Sequence, residues 1–168
     1  MNMLKSEFLI TFDVVHEGMG KDMFSVGFAV LRKAPFESMN IIRRITLTNR
    51  EGCMMHLLKT TEEEGDLWSL KKNKETLRWM SQNANCTNVD FAERVRATID
   101  SLHAEFPDAG WVTNTAGPDF FAVSHLLVNK GYDPMHYNHE KKYCGYKFFV
   151  DESIMRIYQT QSSPRPKM

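Results

Sequence analysis

Asp13 stands near the end of the apolar run Phe8-Leu9-Ile10-Thr11-Phe12-Asp13-Val14-Val15, and His16-Glu17-Gly18 follows it. A carboxylate inside a hydrophobic strand is costly to bury unless a metal, a base or a cluster of donors pairs with it. A second acid, Asp119, follows Gly117-Pro118 and opens Phe120-Phe121-Ala122-Val123, which reads as the first turn of a helix. Two-ion phosphodiester hydrolysis is one chemistry that needs such residues, because carboxylates must hold two divalent cations about 3.5–4 Å apart. Magnesium and manganese favour oxygen ligands, which makes Asp and Glu the residue types to follow. Each acid also has an ordinary structural role open to it. Asp13 would bond backbone amides or an arginine such as Arg43, and Asp119 would cap a helix.

Spacing constrains the chemistry. Side chains two apart on a strand share a face, so position 15 should carry the second ligand, and Val15 cannot. Glu17 is also an even number of residues from Asp13. Four residues of strand nevertheless cover roughly 13 Å, so Glu17 would reach only if the chain turned back after Val15. His16 lies three residues after Asp13, close enough for a base beside such a site. His56, His103, His125, His136 and His139 show no metal-ligand signature. Trp68, Trp79 and Trp111 suit core or interface anchors, and at a cleft Trp79 would suit stacking on a terminal base. Lys71-Lys72-Asn73-Lys74 and Lys141-Lys142 suit either a solvated face or phosphate contact without sequence preference.

Glu7 to Val15 reads as a buried strand, Phe24 to Leu31 as a second and Asn40 to Thr48 as a third. Short connections make these an antiparallel meander. Thr61-Glu62-Glu63-Glu64 would start a short helix, and Asn73 would cap another from Lys74 to about Ala84, with Leu77, Met80 and Trp79 directed inward. Thr87-x-x-Asp90 resembles a capping box. The helix after it spaces Phe91, Val95, Ile99, Leu102 and Phe106 at three- and four-residue steps, the clearest amphipathic pattern in the chain. Gly110 to Asn114 reads as a short strand, Thr115 to Pro118 as a turn, Asp119 to Lys130 as a helix stopped by Gly131, and Lys142 to Val150 as a last strand. Three antiparallel strands followed by helix, parallel strand and helix predict a mixed α/β sheet flanked by helices.

At 168 residues with zero formal net charge, the chain has no global positive field, so nucleic-acid binding would need a local basic patch. One domain over residues 1–161 and a mobile tail over 162–168 are expected. No apolar run approaches the roughly 18–20 residues of a membrane span. Met1 to Glu7 lacks the pattern of a signal peptide. Three cysteines without CxxC spacing suit a reducing compartment. An intracellular, cytoplasmic protein with no membrane partner is therefore expected.

Three stretches together resemble a known family. Phe8 to Asp13, with Phe24-Ser25-Val26-Gly27-Phe28-Ala29-Val30 after it, is similar to an opening strand carrying Asp-x-Glu and the Ser-Ile-Gly-Ala strand that follows. Thr76-Leu77-Arg78-Trp79-Met80-Ser81-Gln82 is similar to Thr-x-x-Trp-Trp-x-x-Gln, and Trp111 to Asp119 to Trp-Gly-Asn-Gly-x-x-Phe-Asp. The family is the DEDD-type, proofreading-like 3′–5′ exonucleases, and within it a phage and bacterial branch of small stand-alone exonucleases and exoribonucleases. The resemblance implies a ribonuclease-H-like fold, Asp13 and Asp119 as catalytic metal ligands, and Mg2+ or Mn2+ as cofactor. It also implies a single-stranded 3′ end as partner, with Asn114 near the substrate, where His16, Glu17 and Trp79 are the further candidates by position and type. The chain departs from the pattern in three places. Val15 replaces the glutamate, Pro118 replaces the phenylalanine before the second aspartate, and Tyr146 to Asp151 reads as strand where the family has a helix with its base and last aspartate. A weakened or lost catalytic site is therefore expected. The alternative is a non-catalytic module on the same sheet that binds nucleic acid or a protein partner.

Overall fold

The computed structural model describes residues 7–16, 23–34, 38–62, 67–113, 116–134 and 143–145. In chain order these form β1 (Phe8–His16), β2 (Met23–Ala34), β3 (Ser38–Thr48), α1 (Arg50–Glu62), α2 (Leu67–Gln82), α3 (Phe91–Glu105), β4 (Gly110–Thr113), α4 (Ala116–Asn129) and β5 (Tyr143–Gly145). The strands make one mixed sheet in the order β3-β2-β1-β4-β5. β1 and β3 pair antiparallel with β2, whereas β4 runs parallel to β1 and β5 parallel to β4. The expected meander and the helix-flanked parallel strand are both present. The expected tail, the strand beyond Gly145 and Asp151 lie outside the described residues.

Alternation along the strands divides the sheet into two unlike faces. Ile10, Phe12 and Val14 of β1 share a face with Val26, Phe28 and Val30 of β2 and Leu47 of β3, and all are buried in the main core. α3 covers this face with Phe91, Val95, Ile99 and Leu102, and α4 with Phe120, Val123 and Leu127. The T-shaped packing of Phe12 on Phe120, 5.2 Å between centroids, fixes α4 to this side. The other face carries Leu9, Thr11, Asp13 and Val15, opposite Leu31, Ala29, Gly27 and Ser25. Toward the end of the sheet on this face the Ser25 and Thr48 hydroxyls bond at 2.8 Å.

Local signals explain the helix ends. Asp90 is the N-cap of α3, and the Thr87 amide donates to its Oδ1 at 2.7 Å, which fixes the turn before the helix. α4 ends in a Schellman motif. Gly131 takes φ +79, its amide donates to the Val128 carbonyl, and that of Tyr132 donates to the Leu127 carbonyl.

Two helix expectations are corrected. α2 begins at Leu67, so Asn73 lies inside the helix instead of capping it. Thr61-Glu62 ends α1, where the sequence predicted a helix start. α1 escapes periodicity analysis because its apolar residues surround the axis: Cys53 is buried, Leu57 is half-buried, and Met54, Met55 and Leu58 are exposed. A small cluster of Phe24, Cys53 and Leu77 holds α1 and α2 against β2. Gly52 is required there, since a Cβ on it would come within 2.6 Å of Phe24 Cβ. Among the described residues no helix is long and apolar enough to cross a membrane.

Candidate functional site

Asp13 lies in the second half of β1, three residues before its end. Among the described residues the last β1–β4 pair is Phe12 with Thr113, one residue before Asp13. Its partner on β2 is Gly27, which has no side chain to cover it. These two facts explain why Asp13 is exposed, not buried as its apolar neighbours suggest. Its Oδ1 accepts a hydrogen bond from the Val14 amide at 3.1 Å. Arg43, the cation considered for it, pairs with Glu105 at the end of α3. The hydrogen bonds from Arg43 hold the Glu105 carboxyl below its ordinary range.

Asp119 is buried, with 4% of its surface exposed, in the first turn of α4. The helix begins at Ala116, so Asp119 sits within it and is not its N-cap. Pro118 is tolerated there because amides of the first turn lack intrahelical acceptors. A carboxylate at this end is also favoured by the helix dipole. Ala122 and Val123, three and four residues further on, are buried in the core.

Only two residues separate the end of β4 from the start of α4, residues 114 and 115. Asp13, toward the carboxyl end of β1, and Asp119, in the first turn of the helix after β4, therefore lie toward the same end of the sheet. They approach it differently. α4 packs on the Phe12 face, and strict alternation through Val15 directs Asp13 to the opposite face. Val15 shares the Asp13 face, 41% exposed, at the position where a second carboxylate would stand.

The other candidates are dispersed. His16 ends β1 and pairs with Met23 across an irregularity in register. Glu17 and Asn114 lie outside the described residues. Trp79 is 64% exposed on α2, contrary to the inward orientation expected of it, whereas Leu77 is buried as expected. Among the described residues no three His, Cys, Asp or Glu side chains are grouped to hold a metal ion. The described donors therefore do not fit a two-ion centre. The sequence analysis names neither Arg96 nor Asp100 and gives His103 no functional role, yet all three line a cavity with Tyr132 and Asp133. Their three- and four-residue spacing along α3 was the available signal.

No family model and no curated protein matches this chain.

Proposed function

We propose that this protein belongs to the ribonuclease-H-like, 3′–5′ exonuclease lineage and engages a single-stranded 3′ end with a weakened catalytic site. The observation that carries the proposal is the arrangement just described. An exposed Asp13 lies three residues before the end of the central strand, paired with Gly27 on β2, and the helix holding Asp119 starts two residues after β4. Three antiparallel strands followed by parallel ones support the same reading. The missing carboxylate at Val15 supports the loss of efficient hydrolysis, because two acids suit at most one weakly held, hydrated Mg2+ or Mn2+ ion. Trp79, exposed on α2, is available to stack a base of the strand.

The second reading is a non-catalytic module that binds nucleic acid or a protein partner. It is favoured by the exposed apolar Val15 on the Asp13 face. One assay separates the two. Purified protein is incubated with 5′-labelled single-stranded RNA or DNA and manganese, alongside Asp13→Asn. Shortening of the strand that disappears in the variant supports hydrolysis. An intact strand with an undiminished mobility shift supports the binding module. Neither shortening nor shift refutes the nucleic-acid reading altogether.

A further inference from the structure

A second feature lies away from the acidic end of the sheet, where α3 meets the C-terminal exit of α4. An open cavity of about 340 Å3 occupies this junction, within the range of small-molecule sites. Leu127, on its floor, lies about 12 Å along α4 from Asp119 at the usual helical rise. His103, on its wall, stacks on Trp111, which pairs with Ile10, about 10 Å back along β1 from Asp13. The cavity is thus separate from the candidate nuclease site.

Its lining has a consistent chemistry. Ile99 and Leu127, 6% and 4% exposed, make an apolar base. Two flat walls are held in place by their own partners. The Arg96 guanidinium sits 4.8 Å from the centroid of the Tyr132 ring. The His103 imidazole lies on the Trp111 indole at 4.6 Å and 27°. At the mouth, Asp100 neutralises Arg96 across 3.2 Å. Asp133 is exposed there and makes no ion pair with any described residue. One guanidinium against two carboxylates leaves acceptors in excess, so the site repels phosphate and carboxylate groups and suits a ligand rich in N–H donors.

We infer that this cavity binds a planar, phosphate-free heteroaromatic with adjacent N–H donors, a nucleobase or nucleoside of the guanine type. Apolar base and aromatic walls accept the ring, and the two oxygens of Asp133 accept the paired donors. The binding does not depend on the nuclease reading.

The experiment titrates guanosine into the isotope-labelled full chain and follows amide shifts by NMR. The expected result is saturable binding, with Kd below about 1 mM and shifts centred on Arg96, His103 and Tyr132. Asp133→Asn, at an exposed position, should weaken binding about ten-fold or more while leaving the remaining spectrum intact. Guanosine 5′-monophosphate and adenosine should each bind at least about ten-fold more weakly than guanosine. Asp119→Asn should bind guanosine as the parent does. Absence of saturable shifts, parental affinity in Asp133→Asn, or equal affinity for the monophosphate or adenosine would each overturn the inference. Loss of binding in Asp119→Asn would overturn the separation of the two sites.

Discussion

Val15→Glu is the most direct test of the acidic end of the sheet. The substitution places a second carboxylate two residues from Asp13 on the same face of β1. Full burial of a valine side chain contributes about 1.5–3 kcal/mol, but Val15 is already 41% exposed. The apolar loss is then about 1–2 kcal/mol, less what the methylenes of glutamate recover. Repulsion between charges about 6.6 Å apart adds about 0.6 kcal/mol at the permittivity of water. Without divalent ions the variant should therefore melt below the parent. With manganese the order of responses reverses. A cation bound at a hundred times its Kd stabilises by about 2.7 kcal/mol, which for a chain of this size raises Tm by about 5–11 °C. The assay is a pair of thermal melts, with and without manganese, on the parent, Val15→Glu and the double variant with Asp13→Asn. A large manganese response in Val15→Glu that vanishes in the double variant supports a carboxylate site built on Asp13. An identical manganese response in parent and Val15→Glu, or one that survives Asp13→Asn, refutes the reasoning.

Other outcomes follow from the packing and the charges. Gly52→Ala should lower stability by about 1–3 kcal/mol, because its Cβ would meet Phe24 Cβ at 2.6 Å. The change would read as a lower urea midpoint at unchanged slope. Burial pushes the Cys53 thiol up to about 11, so iodoacetamide should label it far more slowly in the folded protein than after denaturation, even in mildly alkaline buffer. Glu105 is held below its ordinary value of 4.5, chiefly by the Arg43 hydrogen bond. Asp90 is held below 3.8, chiefly by the Thr87 amide. A depressed carboxylate contributes stability above its unfolded value and loses it as pH falls through its lower folded value. Tm should therefore drop on acidification through that window, and Glu105→Gln should flatten the drop.

The legible parts of the sequence were those where one physical signal dominated. β-branched and aromatic runs marked β1, β2 and β3, and the spacing of Phe91, Val95, Ile99 and Leu102 marked α3 before any pairing was known. Gly131 marked the end of α4 because an αL cap favours glycine. α1 was illegible because its apolar residues do not share a face, and it is held through Cys53 and the close approach at Gly52. Trp79 was misread because size suggests burial, whereas Leu77 occupies the inward position on α2. Asp13 was found by type but misjudged in environment. Its exposure depends on where β4 stops and on Gly27 across the strand, and both are properties of pairing between distant segments.

The same pairing bears on what the acidic end of the sheet can still do. A strand directs its side chains by parity, so no adjustment within β1 short of a bulge brings Asp13 to the α4 face. The register of β1 against β2 is regular through Val15 and shifts only before His16. A common ion for Asp13 and Asp119 must therefore sit beyond the end of β4, reached by Asp13 from one face and by Asp119 around the strand's end. That geometry makes the carboxylate at position 15 more consequential than a simple ligand count implies. It would stand on the Asp13 side with no strand end to pass. Reinstating it should restore ion binding through Asp13 even when Asp119 is changed to asparagine. If Val15→Glu gains its manganese response only with Asp119 intact, the ion bridges the two acids instead, and the weakness lies in the number of ligands, not in their placement.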